Sequence, residues 1–224
     1  GDHRDLHSFP TRRSSDLASL FTYPGVYANQ NGKPGAAHIE ERRSRLLAVI
    51  AQCNRELQPL GIHMSVLVWR PCGALIYVYR PADLMRYLSD PRATTALAAE
   101  GYDVHNLPAS LVHLAARITL ASSNAAESAY DGSVCALARN RHCDTGCICE
   151  FPHEIGYFLG YPYEDVHQFI VQHGENYKVF GAWKVYTNVE QALTTFDSYR
   201  ACTQYLTYIY QQGCTLGQLV QATR

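Results

Sequence analysis

FPHEIGYFLGYPYEDVHQFI, residues 151–170, is the densest run of specialised residues in the chain, with two prolines, two glycines, several aromatics and a His-Glu pair. Pro152 suits the first position of a helix, where its missing N–H is not needed. Glu154 then falls in the first turn, where a carboxylate complements the helix dipole. Ile155, Phe158 and Leu159 give one apolar face, Gly160 ends this short helix and Pro162 starts another. Glu164 and Asp165 sit in the first turn of the second helix, Val166, Phe169 and Ile170 face inward, and Gly174 takes the left-handed position after its end. The stretch therefore reads as two helices joined by one tight corner, and His153 is the residue left without a structural task.

Working outward, Ala182–Tyr186 (AWKVY) reads as a strand. Asn188 with Gln191, and Thr215 with Gln218, have the spacing of helix capping boxes. The first opens a long helix with Val189, Leu193, Phe196, Tyr199, Thr203, Leu206 and Tyr210 as its inward stripe, closed by Gly213. The second opens a short helix carrying Leu216, Leu219 and Val220. Upstream, Met64–Trp69 and Ala74–Tyr79 are β-branched and aromatic runs around Arg70-Pro71-Cys72-Gly73, the best hairpin signal in the chain. ASLFTY at 18–23 reads as a further strand. A helix with acids at its start is expected from His38, with Ile39, Leu46, Leu47, Ile50, Cys53 and Leu57 on one face and Gly61 after it. Helices are also expected from Pro81, from Asp90-Pro91 to Glu100, and from Leu107-Pro108 with Leu111, Leu114, Ala115 and Ile118 inward and a partly buried His113. Residues 122–133 read as a loop or frayed helix end. The fold class is α+β: a small, mainly antiparallel sheet, made of the hairpin plus one or two further strands, packed against several helices.

The 224 residues are 47% hydrophobic, enough for one sizeable core, and carry a formal net charge of −1. That balance offers no electrostatic footprint for nucleic acid or an anionic membrane, and no apolar run is long enough to span a bilayer. Neither nucleic acid nor membrane is expected as a partner. No signal peptide is visible, so a cytoplasmic location with free thiols is expected.

Residues 1–17, GDHRDLHSFPTRRSSDL, have no apolar periodicity and back-translate throughout into a common sequencing-library adapter. The segment is expected to be non-native and disordered, with the true N-terminus missing and a single α+β domain over residues 18–224.

HEIGYFLGYPYEDVHQFI, then GENYKVFGAWKVY, together with ASLFTY and SVLVWRPCGALIYVYR, resemble a bacterial family catalogued as domain of unknown function 3793. The resemblance covers most of residues 18–223 and implies a small bacterial cytosolic protein. It brings no assigned activity, so no catalytic residue carries over. Family members pass to the FPHEIG run through a shorter connection, which makes the cysteine-rich stretch near 122–150 an expected insertion.

That stretch, CALARNRHCDTGCICE, places Cys143, Cys147 and Cys149 in a C-x3-C-x-C run with Cys135 upstream. Four thiolates in a short loop can close a tetrahedral zinc site or hold an iron–sulfur cluster. The spacing is not the paired CxxC pattern, and redox-active thiols or a plain flexible insertion remain open beside a metal site. His153, Glu154 and Tyr157 are the candidate acid–base residues. HEIGYF lacks the second histidine of the HExxH signature, and phosphate-binding glycine motifs are absent. A binding or regulatory domain without catalysis, metal- or redox-responsive through the cysteines, is the expected function; the alternative is an enzyme with its site near His153 and Glu154.

Overall fold

The structure, a computed structural model, describes residues 17–23, 36–70, 73–128 and 151–222. Residues 1–16, the hairpin tip with Cys72, and the run holding Cys135, Cys143, Cys147 and Cys149 lie outside them. Among the described residues the chain is α+β, with eight α-helices and two antiparallel sheets.

Strands β1 (Ala18–Tyr23), β2 (His63–Arg70) and β3 (Gly73–Tyr79) form the larger sheet in the order β1-β3-β2. The expected hairpin is β2–β3, and ASLFTY pairs on the other side of β3. Every residue of β3 except Tyr79 is buried, because both faces of the central strand are covered. Leu75 and Tyr77 point into the first core, lined by α2 (Pro81–Leu88), α3 (Pro91–Ala99), α4 (Leu107–Ser128), α5 (Ile155–Phe158) and α6 (Tyr163–Val171). Ala74, Ile76 and Val78 point into the second, against α1 (Ala36–Leu57) and α8 (Leu216–Gln221). A bulge at Leu67 shifts the β2 register, so Val66 faces the second core and Val68 the first. On the β2 edge, the Asn54 side chain donates to the Met64 carbonyl and accepts from the Met64 amide, both at 2.8 Å. It satisfies edge-strand groups that lack a further strand.

A third cluster of Trp183, Val185, Ala192 and Phe196 joins a small hairpin, β4 (Val179–Phe180) with β5 (Lys184–Val185), to α7 (Val189–Gln211). Thr215 and Gln218 form the full capping box of α8. Asn188 caps α7 through Gln191 N, although the Gln191 side chain bonds the Asn188 amide rather than its backbone.

Several expectations shift in detail. Helix α1 begins at Ala36, so Glu40 and Glu41 lie beyond its first turn, which holds no acid. Helix α4 runs on to Ser128, into the stretch read as a loop or frayed helix end. The expected strand at Ala182–Tyr186 shrinks to Lys184–Val185, because the Trp183 indole and Tyr186 amide turn to Asp165. On α7, Phe196 and Leu206 are buried as expected, but Leu193 and Tyr210 are exposed. Tyr210 shares the angular face of Leu206 yet lies one turn further on, in the last turn of the helix.

The corner itself forms. Pro152 is not the first residue of a regular helix: Ile155, Gly156 and Tyr157 donate to the carbonyls of Pro152, His153 and Glu154, a tight turn that precedes α5. Gly160 turns the chain at φ +72°, the left-handed region that favours glycine. A Cβ on Gly156 would lie 2.8 Å from Val166 Cγ2, so the close approach of α5 to α6 requires a residue without one.

Candidate functional site

The candidate site is the corner at 151–170 and the groups that hold it. Glu154 is 5% exposed. Its Oε1 accepts from the Tyr102 hydroxyl at 2.8 Å and lies 2.9 Å from Arg117 Nε. The same guanidinium reaches Glu100 Oε2 at 2.5 Å. Burial, followed by the charge of Glu154, pushes the Tyr102 phenol far above its ordinary range. Tyr102 packs on Phe158 and on the half-buried His113 ring, at 5.3 and 4.4 Å between centroids. Glu154 therefore does not serve the dipole of α5. It sits at the N-cap without a capping bond and turns its carboxylate towards α4.

Asp165 is the second buried acid, at 3% exposed. It accepts from Trp183 Nε1 (2.7 Å), Tyr186 N (2.9 Å), and Thr187 N and Oγ1 (3.0 Å each). Two tyrosines close the corner from the sheet side. Tyr77 donates to the Phe158 carbonyl at 2.5 Å, and Tyr87 donates to the Tyr161 carbonyl. On the outside, Arg92 pairs with Asp90 and Glu164, tying α3 to the start of α6.

The three candidate acid–base residues have separate surroundings. His153 is exposed, its ring edge-on to Phe169 at 5.0 Å and tilted against Phe151 at 6.1 Å. Desolvation beside these rings, and then the charge of His173, hold its pKa below the ordinary value. Glu154 is engaged by Arg117 and Tyr102. Tyr157 is buried and stacked on Tyr163, and its hydroxyl has no hydrogen-bond partner. Burial, then Tyr163 and the nearby carboxylates, raise the Tyr157 phenol.

Sequence reasoning missed Arg117, Tyr102 and the four donors of Asp165. The one local hint was a carboxylate directly preceding the apolar run IGYF, where an acid needs a buried partner. Cys135, Cys143, Cys147 and Cys149 lie outside the described residues, and among those described no group of three or more His, Cys, Asp or Glu is placed to hold a metal. No helix of the described residues is long and apolar enough to cross a membrane.

An α+β chain with a clamped two-helix corner is what the fold and site define. A family model described as protein of unknown function DUF3793 matches residues 10–220, and the chain belongs to that family. No curated protein and no solved structure matches it.

Two outcomes follow from this geometry. Arg117→Met leaves Glu154 buried without its cation and is expected to cost about 3 kcal/mol in urea unfolding. Arg117→Met combined with Glu154→Met is expected to cost less than the single change; additive losses would mean that the pair is not coupled. Because folding lowers the His153 pKa, the unfolded chain binds the proton more readily. The contribution is complete above about pH 6.5 and is lost as pH falls through the window below it. Urea midpoints measured from about pH 7.5 down to about pH 5 should fall, and His153→Gln should flatten part of that fall. An unchanged slope would remove His153 from the acid response.

Proposed function

We propose that the chain is a bacterial cytosolic binding or regulatory domain without catalytic activity, responsive to metal or redox state through Cys135, Cys143, Cys147 and Cys149. The observation that carries the reading is the engagement of Glu154: the only acid among the three candidate acid–base residues is occupied by Arg117 and Tyr102, which leaves the motif a structural part. The chemistry then falls to the cysteine run, whose four thiolates suit zinc or an iron–sulfur cluster.

Elemental analysis of anaerobically purified chain tests this. About one zinc per chain, or iron with acid-labile sulfide, is expected. Cys143→Ser with Cys147→Ser should remove the metal and lower the thermal midpoint. Absence of metal and of any reversible thiol oxidation, with unchanged stability in the double variant, would sink the reading.

The second reading, an enzyme with its site near His153 and Glu154, is favoured by one observation, the unsatisfied buried hydroxyl of Tyr157. A polar group kept out of water without a partner costs about 1–3 kcal/mol, unless a ligand uses it. Tyr157→Phe tests that observation. With the hydroxyl unsatisfied, the variant should be unchanged or stabilised by about 1 kcal/mol in urea unfolding. A clear loss of stability would mean that the hydroxyl has a structural partner and would remove the support for the enzyme.

A further inference from the structure

On the outer side of the corner, rings and cations follow one another without a break. Phe151 flanks His153, and His153 meets Phe169 edge-on at 5.0 Å. Lys184 Nζ lies 5.6 Å from the centre of the Phe169 ring and 4.7 Å from that of Tyr177. Tyr177 meets Phe180 at 6.4 Å. Phe180 is 57% exposed and Tyr177 43%, and the end of α6 adds exposed Ile170 and Val171. Scattered apolar residues on a surface need no explanation, but a contiguous set does.

The charges on this side are unequal. His153, His173, Lys178 and Lys184 supply cationic or protonatable groups, all but Lys184 exposed. Lys184 is held in place by its bond to the Gly174 carbonyl at 2.7 Å. Of the carboxylates on the same elements, Glu154 is buried on Arg117, Asp165 is enclosed by its donors and Glu164 is paired with Arg92, while Glu175 stands exposed in the turn after α6.

We propose that this row is the docking surface for an acidic segment of a partner polypeptide. An apolar side chain of the partner lies against Phe180 and Tyr177, and its carboxylates face Lys184, Lys178 and the exposed His173. Aromatic anchors bordered by complementary charge are the usual composition of such a surface. The aliphatic side chains of Ile170 and Val171 and the net charge of −1 favour a polypeptide over a nucleic acid. The proposal rests on the binding-domain reading, naming a partner for it, but does not use the cysteines.

A random-peptide display library panned on the full chain tests it. Selected peptides are expected to carry Asp or Glu beside an apolar residue. A synthetic copy of the best should lose about tenfold in affinity with Phe180→Ser and with Lys184→Gln. It should bind unchanged to Tyr208→Ser on α7, and to the Cys143→Ser and Cys147→Ser double variant. The last result separates a failure here from a failure of the metal reading. Circular dichroism of each variant checks that it is folded. A library that yields no binder, binders without acids, or binders indifferent to Phe180→Ser and Lys184→Gln overturns the proposal. So does oligothymidylate binding to the same residues more tightly than the peptide.

Discussion

A carboxylate leaves water only when matched donors replace its hydration, and this fold takes two out of water within one short corner. Glu154 draws Arg117 of α4 and Tyr102 onto the start of α5. Asp165 draws the Trp183 indole, the Tyr186 amide and Thr187 onto α6. Leaving either acid unpaired would cost more than a typical core contact contributes, so the elements that carry the donors have little freedom in where they lie. Glu154 fixes the corner against the first core, and Asp165 fixes the small hairpin and the entry to α7 against the corner.

Between the two acids the backbone makes the same demand. A sharp turn exposes carbonyls that no helix or strand satisfies. Tyr77, from the central strand, reaches the Phe158 carbonyl, and Tyr87, from α2, reaches that of Tyr161. Both phenols are pushed up chiefly by burial, so both stay protonated donors across any physiological range. The stacked rings of Tyr157 and Tyr163, and of Tyr161 and Trp183, fill the space around these bonds. Apolar packing gives the corner its bulk, and the four polar anchors give it one orientation.

The parts of the fold that were legible in the sequence are those specified locally. β-Branched and aromatic runs on either side of Arg70-Pro71-Cys72-Gly73 pointed to the hairpin, glycines at left-handed positions marked where helices stop, and Thr215 with Gln218 marked a complete capping box. The parts that were not legible depend on partners distant in sequence. Glu154 satisfied a local rule, an acid near a helix start, and was read that way. Its actual partners lie 37 and 52 residues upstream. Asp165 does lie in the first turn of α6, as read, but its partners were out of local sight, and it shortened the expected AWKVY strand by claiming the groups around it. Leu193 had the residue type expected of a core position but lies off the buried face of α7, which the third cluster selects through Ala192 and Phe196. Of the candidate site, the sequence supplied the residues but not their directions: one histidine at the surface, one acid in an ion pair, one phenol in the core.

Those directions bear on how a motif of this kind is to be read. A motif rich in His, Glu, Tyr and Gly invites a catalytic interpretation, yet each polar group here can be asked what it would cost to remove it from the fold. Glu154 and Asp165 have several partners each, and their removal would strand the donors around them. His153 differs. Its carbonyl accepts from Gly156, but any residue supplies a carbonyl there; its ring lies on the surface between two phenylalanines, with protonation disfavoured. A side chain that the fold does not need, in a setting that opposes its charge, is one whose identity local folding does not explain. The inner side of the corner is committed to holding the protein together, and the groups that the fold leaves uncommitted stand on its outer side, where His153 meets Phe169 edge-on and Lys184 lies over the same ring.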